Sequence, residues 1–336
     1  MESNRRALII GIDHYQLPGN DLTCAVADAE AMAELLQRDS DGAVNYHCRT
    51  LLNTMEDGRP LDRVALRLAC QELFSGFKGD SLLYFSGHGV MTKNGGCLAT
   101  YDAYKDDWGV PMDEILQLAE DSTAREILIL ADCCHSGDIG NPALLNAHRG
   151  EDTPIAVLRE DLTVIAASHA SQLSLEAGGH GLFTAAVLDA LRGGAADHMG
   201  WVTAPSIYAY VERRFGPWEQ RPIYKSHATG VMPVRKCAPL IDRLKLRRLV
   251  ELFPTDGHKY PLDPEHEPED EHGNLHEPVN KGKVAIAQLF KDYRDAGLVR
   301  ASVPGEQLFW TARRSHAVAL TGRGREYWWL VKNQKI

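Results

Sequence analysis

The chain has 336 residues, of which 44% are hydrophobic and 24% are charged, and its formal net charge is -10. This composition excludes a disordered chain, and the acidic balance argues against a protein whose whole surface coats nucleic acid or a membrane. No apolar run approaches the roughly 20 residues that span a bilayer, no secretory signal opens the sequence, and the seven irregularly spaced cysteines predict free thiols. We therefore expect a soluble, cytoplasmic protein.

The first half of the chain alternates apolar runs with amphipathic helical patterns. In chain order these are the strand "RALIIGI", the helices "CAVADAEAMAELLQRD" and "VALRLACQELFSGF", the strand "DSLLYFSGHG", the helix "PMDEILQLAEDS", the strands "EILILADCCHSG" and "LTVIAAS", and the helix "GLFTAAVLDALRGG". Strands rich in Ile, Leu and Val that alternate with helices predict an α/β fold, with a mostly parallel sheet sandwiched between helices.

Polar and reactive side chains follow two of these strands at their carboxyl ends. "SLLYFSGHG" ends with Ser86 and His88, and "EILILADCCHSG" ends with Asp132 and Cys134. Ligands of open α/β sheets bind outside the carboxyl ends of the strands, and side chains two residues apart share one face of a strand. We therefore expect the two strand ends to lie side by side and the four side chains to converge.

A thiol beside an imidazole is typical of a cysteine nucleophile, because the imidazole removes the thiol proton and the thiolate attacks a carbonyl carbon. This chemistry indicates Cys134 as the nucleophile and His88 as the general base and acid. The N–H groups of Gly89 and Cys134 are candidates for the oxyanion hole. An isolated Gly-His-Gly is more often a turn histidine, but the second strand end favours the catalytic interpretation.

The two strand ends resemble the histidine and cysteine boxes of the caspase-like cysteine peptidases, peptidase family C14. "YFSGHG" and "DCCHSG" carry the resemblance, and the form Asp-x-Cys-His-x-Gly is most similar to metacaspases and their bacterial relatives. "ALIIGIDHY", "LTCAVADAEAMAELL", "ASHASQLSLEAGGHGLFTAAVLDAL" and "QRPIY" extend it over roughly residues 5–235. The resemblance implies a caspase-like fold, thiol-protease activity that a signal or self-cleavage switches on, and a setting in bacterial defence or cell death.

The family pattern places the nucleophile directly before His135, which selects Cys134 over Cys133. Strand alternation turns Cys133 away from the face of Asp132, so we expect Cys133 to be a small core residue. A metal site built from the two cysteines, His135 and His88 is the alternative, although adjacent cysteines lack the usual spacing of structural zinc ligands.

The resemblance also implies an acidic pocket for the residue before the cleaved bond. Asp132 stands where metacaspase-like enzymes carry an acid, Asp28 matches a second pocket acid, and Ser86 matches a third lining position. Carboxylates shielded from water favour a guanidinium or ammonium group, so we expect cleavage after Arg or Lys. The alternatives are a solvated or helix-terminal acid at Asp28 and a strand-end turn former at Asp132.

A stretch of loop composition follows the nucleophile, where family members carry the often-cut connection between their two subunits. The acidic pocket and the expected exposure of this loop predict Arg149 and Arg159 as self-cleavage sites.

The thiol chemistry requires no cofactor, but calcium is a candidate activator. Asp102, Asp106 and Asp107 in "YDAYKDDW" offer hard oxygen ligands for Ca²⁺. A solvated acidic turn is the alternative.

The composition changes after residue 237, which ends the predicted peptidase domain, 1–237. "LIDRLKLRRLVELF" and an acidic, proline-rich stretch predict a helix and a linker over 238–280. Residues 281–336 predict a helix, a hairpin of "LVRAS" and "LFWTA", a strand "HAVAL" and a helix capped by Thr321, an order that suggests a winged-helix-like module.

The sequence therefore predicts a cysteine endopeptidase that acts on proteins with a basic residue before the cleaved bond, with no membrane partner. Residues 281–336 contain 11 Lys and Arg against 4 Asp and Glu, so a regulator that binds nucleic acid through this module is one alternative. The negative charge of the whole chain favours autoregulation or an upstream activator protein as the partner instead. A catalytically silent caspase-like scaffold is the other alternative.

Overall fold

The structure is a computed structural model that describes residues 4–54, 60–92, 95–105, 107–133, 159–167, 176–177, 179–215, 221–270, 272–275 and 278–336. The chain divides into two compact units. The first contains the residues up to Ala196 and Gly200–Ala238, and the second contains Asp197–Met199 and Pro239–Ile336. None of the helices among the described residues combines the length and the apolar character that crossing a bilayer requires.

The first unit is built around a six-stranded sheet. Its strands in chain order, including those outside the sheet, are β1 (Arg5–Ile12), β2 (His47–Asn53), β3 (Asp80–Ser86), β4 (Gly89–Thr92), β5 (Gly95–Tyr104), β6 (Asp107–Pro111), β7 (Ile127–Asp132), β8 (Leu162–Ala166), β9 (Glu176–Ala177), β10 (His180–Gly181), β11 (Trp201–Thr203), β12 (Ile223–His227) and β13 (Pro233–Lys236). Its helices are α1 (Ala25–Gln37), α2 (Arg63–Phe74), α3 (Met112–Glu120), α4 (Leu182–Asp189), which continues into a π-helical turn, and α5 (Ala204–Glu212).

The sheet has the strand order β12-β8-β7-β3-β1-β2. β2, β1, β3, β7 and β8 run parallel, and β12 pairs antiparallel with β8. Residues of α2 and α3 share a buried cluster with one face of this sheet, and residues of α1, α4 and α5 share a second cluster with the other face. The predicted α/β fold with a mostly parallel sheet between helices is therefore confirmed.

The carboxyl ends of β3 and β7 lie side by side, as predicted. Ser86 is the register partner of Asp132, and the N–H of Gly87 donates a hydrogen bond to the carbonyl of Asp132 at 3.3 Å. Tyr84 and Leu130 pack in the cluster on the face of α1 and α4. Because side chains alternate along a strand, Ser86 and Asp132 point toward that same face.

Helix α1 lies very close to β1, and this approach requires glycine. A Cβ atom on Gly11 would lie only 2.4 Å from the carbonyl oxygen of Ala25. The carboxylate of Asp13 accepts hydrogen bonds from the N–H groups of Ala25, at 2.7 Å, and Val26, at 3.3 Å, and so satisfies donors that the first turn of a helix leaves open. These contacts fix the first turn of α1, which carries Asp28.

The second unit consists of α6 (Arg243–Arg247), α7 (Leu249–Leu252), β14 (Lys259–Pro261), α8 (Lys281–Asp295), β15 (Val299–Ala301), α9 (Leu308–Arg313), β16 (Ala317–Leu320) and α10 (Gly322–Lys332). Its strands form an antiparallel sheet in the order β14-β16-β15. The side chain of Thr321 caps α10 by accepting the N–H of Gly324 at 3.0 Å, as predicted.

Two expectations for this unit change. "LFWTA" is part of helix α9 rather than a hairpin strand, because Leu308, Thr311 and Ala312 are buried at helical spacing; β15 pairs with β16 instead. The segment predicted as a linker contributes strand β14 and one buried core residue, Leu262, to the same unit. The winged-helix-like assignment stays a prediction.

Candidate active site

His88 lies two residues after the end of β3, and two contacts hold its ring. Its Nε2 is 2.8 Å from the backbone carbonyl oxygen of Asn20, and the ring of Tyr15 packs against it with the centroids 4.8 Å apart. A carbonyl oxygen can only accept, so Nε2 carries the proton and Nδ1 is left as the basic nitrogen. The imidazole thus has the tautomer that a general base needs at Nδ1.

The loop before α1 supplies these supports for His88. The buried hydroxyl of Tyr15 accepts the backbone N–H of His88 at 2.8 Å. The carboxylate of Asp21 in turn accepts the backbone N–H of Tyr15 and contacts Nδ1 of His14, each at 2.9 Å. The hydrogen bond from the Tyr15 N–H lowers the pKa of Asp21, so this carboxylate stays ionised at neutral pH and keeps the loop in place.

The N–H of Gly89, the predicted oxyanion donor, points away from the neighbouring strand. Gly89 opposes Leu98 in the antiparallel pair of β4 and β5, and the carbonyl of His88 accepts the N–H of Ala99 at 2.9 Å. This register makes Gly89 and Leu98 a pair without mutual hydrogen bonds. The Gly89 N–H is therefore directed away from β5, and β5 does not accept it.

Asp28 and Ser86 meet at the end of β3. The hydroxyl of Ser86 donates to Oδ2 of Asp28 at 3.2 Å, and both residues are buried. The other carboxylate oxygen, Oδ1, lies 2.8 Å from Nδ1 of His180 in β10, and the N–H of Gly181 donates to the same carboxylate at 3.3 Å. Asp28 is thus a buried, hydrogen-bonded acid rather than a solvated helix residue.

Asp132 is held at the first turn of α4. Its Oδ2 accepts the hydroxyl of Thr184 at 2.6 Å and the N–H of Thr184 at 3.1 Å. The Thr184 hydroxyl also lies 2.6 Å from the hydroxyl of Tyr84 in β3. Two strands and one helix therefore fix the orientation of this carboxylate.

The two carboxylates are close together, on either side of Gly181. A Cβ atom on Gly181 would lie 2.9 Å from Oδ2 of Asp132 and 3.3 Å from Oδ2 of Asp28, so only glycine fits between them. Burial and the neighbouring charge of Asp132 raise the pKa of Asp28 to about 6, and burial also raises the pKa of Asp132. Like charges out of water disfavour each other, so this arrangement attracts a cation.

The predicted nucleophile, Cys134, and His135 lie outside the described residues. Cys133, the residue before them, is 4% exposed and packs in the cluster on the face of α2 and α3, so its prediction as a small core residue is confirmed. Among the described residues, no group of three or more His, Cys, Asp or Glu side chains could hold a metal ion.

Of the two predicted self-cleavage sites, Arg149 lies outside the described residues and Arg159 is engaged by the protein. The guanidinium of Arg159 donates to the carbonyl groups of Ser122 and Ala124, each at 2.8 Å. Its backbone N–H donates to the carboxylate of Glu120 at 2.8 Å. Cleavage after Arg159 would require these bonds to break first.

The candidate calcium ligands Asp102 and Asp107 share one arginine, and Asp106 lies outside the described residues. Arg63 forms an ion pair with Asp107, and its backbone N–H donates to Oδ1 of Asp102 at 3.1 Å. The hydroxyl of Thr100 donates to the same Oδ1 at 2.6 Å.

Sequence reasoning missed four side chains or backbone groups of this site: Tyr15, Asn20, His180 and Thr184. Asn20 acts through its backbone carbonyl, which no residue pattern reveals. His180 and Thr184 flank the Gly-Leu-Phe start of α4, a stretch that the family resemblance covers without marking these residues. The signal that could have found them is the polar residue type of His180, two residues before α4, and of Thr184, in the first turn of this mostly apolar helix.

The family model described as the caspase domain matches residues 4–233. Among curated proteins, none matches the chain. Solved structures that resemble it include protein GSU0716 from Geobacter sulfurreducens, with 18% identity, a TM-score of 0.48 and coverage of 70% of this chain and 99% of that one. Caspase-1 from Spodoptera frugiperda has 15% identity, a TM-score of 0.48 and coverage of 70% and 91%. Because the family model spans most of the chain, the protein belongs to the caspase-domain family.

Proposed function

We propose that the protein is a cysteine endopeptidase that cleaves proteins after Arg or Lys through Cys134 and His88. The observation that carries this proposal is the juxtaposition, at one edge of the sheet, of an oriented imidazole and two carboxylates, the buried Asp28 and the partly buried Asp132. Membership of the caspase-domain family supports the reaction class.

In the proposed reaction, Nδ1 of His88 takes the thiol proton of Cys134, and the thiolate attacks the carbonyl carbon of the scissile peptide bond. The N–H groups of Gly89 and Cys134 stabilise the negative oxygen of the tetrahedral intermediate. His88 then gives its proton to the leaving amine as the C–N bond breaks. Water, deprotonated by His88, attacks the thioester, and the free carboxylic acid and the thiol of Cys134 are restored.

The proposed substrate preference follows from the pocket charge. Two carboxylates with one serine hydroxyl, shielded from water, stabilise a guanidinium or ammonium group more than a neutral side chain. Aspartate in this pocket would meet two like charges at close range. We therefore propose Ser86, Asp28 and Asp132 as the binding site of the basic side chain.

A fluorogenic peptide panel with Arg, Lys, Met or Asp before the cleaved bond tests the proposal. We expect turnover of the Arg and Lys peptides, loss of all turnover in Cys134→Ala and His88→Ala, and retention in Cys133→Ala, the matched control. Turnover of the Asp peptide alone would overturn the pocket assignment. If no peptide is cleaved in the presence of calcium or of a chelator, the scaffold alternative replaces the enzyme.

The same panel tests calcium as an activator. Arg63 already neutralises part of the charge on Asp102 and Asp107, so we propose that no cofactor is required and expect a chelator to leave the rates unchanged. Calcium activation through this turn would be established if the chelator lowered the rate of the parent enzyme and Ca²⁺ restored it, while the rate of Asp102→Asn responded to neither addition.

For the second unit we propose autoregulation or docking of an upstream activator protein. Several of its basic side chains are paired with acids of the same unit: Lys283 contacts Asp263 and Glu265, Lys291 contacts Glu267 at 3.0 Å, and Lys245 contacts Asp292 at 2.7 Å. These pairs reduce the positive charge available to nucleic acid. We expect a filter-binding assay at low salt to detect no retention of DNA or RNA, and salt-dependent retention would favour the nucleic-acid alternative.

We also propose a cytoplasmic location and a role in bacterial defence or cell death. The location is supported by the cysteines, because Cys48, Cys70, Cys97 and Cys237 are free thiols, which is typical of a reducing compartment. The biological role is proposed from the family resemblance alone. Fractionation of the native host and a survival assay with Cys134→Ala test the two proposals.

A further inference from the structure

His180 contacts Asp28, one of the acids that the proposed function assigns to the binding of the substrate's basic side chain. Its Nδ1 is 2.8 Å from Oδ1 of Asp28. Asp28 is only 1% exposed, whereas the side chain of His180 keeps 23% of its surface exposed. The imidazole is therefore in contact with both the buried carboxylate and the solvent.

The other groups around this pocket are acidic or neutral. Asp28 reaches it from α1, Ser86 from β3, Asp132 from β7, and Thr184 from α4. Within the described part of the chain, His180 is the one side chain able to carry a positive charge that contacts either carboxylate. The site that attracts a cation thus already contains one potential cation from its own chain.

We propose that His180 is a gate residue that sets the affinity of the acidic pocket for basic side chains, an inference that rests on the proposed function. The guanidinium or ammonium group of a substrate competes with the imidazole for Oδ1 of Asp28 and displaces it on binding. The substrate must replace each contact that His180 makes, so the imidazole weakens binding of the basic side chain. It also favours groups that can hydrogen-bond to both carboxylates, as a guanidinium can.

A purely structural histidine gives the opposite expectation. If His180 only orients Asp28, removing the imidazole would leave the carboxylate misplaced and weaken cation binding. The two roles are separated by three substitutions. His180→Ala removes the competitor, His180→Asn keeps an N–H donor for Asp28, and His180→Lys places a permanent cation within reach of both carboxylates.

The test measures binding of agmatine, a small guanidinium probe, by calorimetry at pH 7.5 in the Cys134→Ala background, so that no catalysis is needed. We expect His180→Ala to bind agmatine about three- to tenfold more tightly than the parent, as loss of one competing hydrogen bond implies. We expect His180→Asn to match the parent and His180→Lys to bind far more weakly. His47→Ala, which changes an exposed histidine of β2, is the matched control, and thermal melting verifies that each variant is folded.

The outcomes separate the gate from the proposed function. If agmatine binds the variants in the expected order of affinity, but the protein with Cys134 intact hydrolyses no peptide, the gate is retained and the proposed peptidase activity is overturned. If the protein with Cys134 intact cleaves Arg peptides, but His180→Ala binds agmatine no more tightly than the parent does, the gate is overturned and the proposed peptidase activity is retained. If agmatine binds to none of the variants, the gate is also overturned, because the pocket then has no affinity for a cation.

Discussion

Tyr15 contacts His88 in two independent ways. Its hydroxyl accepts the backbone N–H of His88 at 2.8 Å, and its ring packs against the imidazole with the centroids 4.8 Å apart. The first contact fixes where the backbone leaves β3, and the second restricts rotation of the ring. A buried tyrosine from another part of the chain therefore positions the proposed general base.

Tyr15→Phe is expected to reduce kcat about tenfold, the effect of roughly 1.4 kcal/mol, with little change in KM. The substitution keeps the ring contact but leaves the N–H of His88 without its acceptor, so the imidazole is less well oriented. Steady-state kinetics with an Arg peptide measure the effect. Tyr104→Phe, at a side chain that is 69% exposed, is the control, and an unchanged kcat in Tyr15→Phe would show that the hydroxyl does not position His88.

Asp132→Asn is expected to reduce kcat/KM for Arg peptides about 100-fold relative to a Met peptide. Truncating one partner of a buried charge interaction typically costs a few kcal/mol, and Asn retains an oxygen that can accept from Thr184. The ratio of the two peptides is the measurement, because a general folding defect would lower both rates. Asp41→Asn, at an exposed position, is the control. An unchanged ratio would remove Asp132 from the pocket.

Asp28→Asn is expected to stabilise the protein at neutral pH while it weakens selectivity for basic residues. The pKa of Asp28 is raised from 3.8 to about 6, so the folded state holds its proton more tightly than the unfolded state. The Asp28 contribution to the free energy of unfolding therefore falls as pH rises from about 4 to about 6. At pH 7.5 we expect Asp28→Asn to be more stable by about 1 to 3 kcal/mol.

Urea denaturation of both proteins at pH 4 and pH 7.5 checks this sign. The advantage of Asp28→Asn should vanish at pH 4, where the carboxyl group is protonated in the folded state. A difference that is the same at both pH values, or larger at pH 4, would contradict the raised pKa.

Self-cleavage is expected at Arg149 rather than Arg159. The guanidinium and the backbone N–H of Arg159 are held by Ser122, Ala124 and Glu120, so the pocket can take up this side chain only after local unfolding. Intact-mass spectrometry of the incubated enzyme identifies the cut. We expect Arg149→Gln to abolish it and Arg159→Gln to leave it in place, with Cys134→Ala uncut. The reverse pattern would show that the contacts of Arg159 open readily.

The sequence allowed the sheet and the convergence of two strand ends to be predicted, since both depend on short-range patterns. Apolar runs predicted β3 and β7. Alternation along a strand predicted that Cys133 lies in the core and that Asp132 points to the opposite face, as the structure shows. The same type of pattern failed at Leu308–Arg313, because a short apolar run has too few residues to separate a period of 2 from a period of 3.6.

The supports of the site could not be predicted in this way, because they join residues that are far apart in sequence. Asn20 contributes a backbone carbonyl, which every residue type possesses. His180 meets Asp28 only after α1 and β10 have been placed against the same strand ends. Periodicity describes which face an element buries, but it does not identify the partner of a single polar atom across the sheet.

The residues of the proposed pocket come from both before and after the stretch of sequence that connects β7 with β8. Asp28, Ser86 and Asp132 precede this stretch, whereas His180 and Thr184 follow it. The parallel pairing of β7 with β8, two interior strands of the sheet, joins the two portions. A break after Arg149 would therefore yield two polypeptides that stay associated under native conditions and separate only in denaturant. The proposed self-cleavage would thus be a covalent change within a persistent heterodimer, and both pieces would contribute to the proposed recognition of a basic residue.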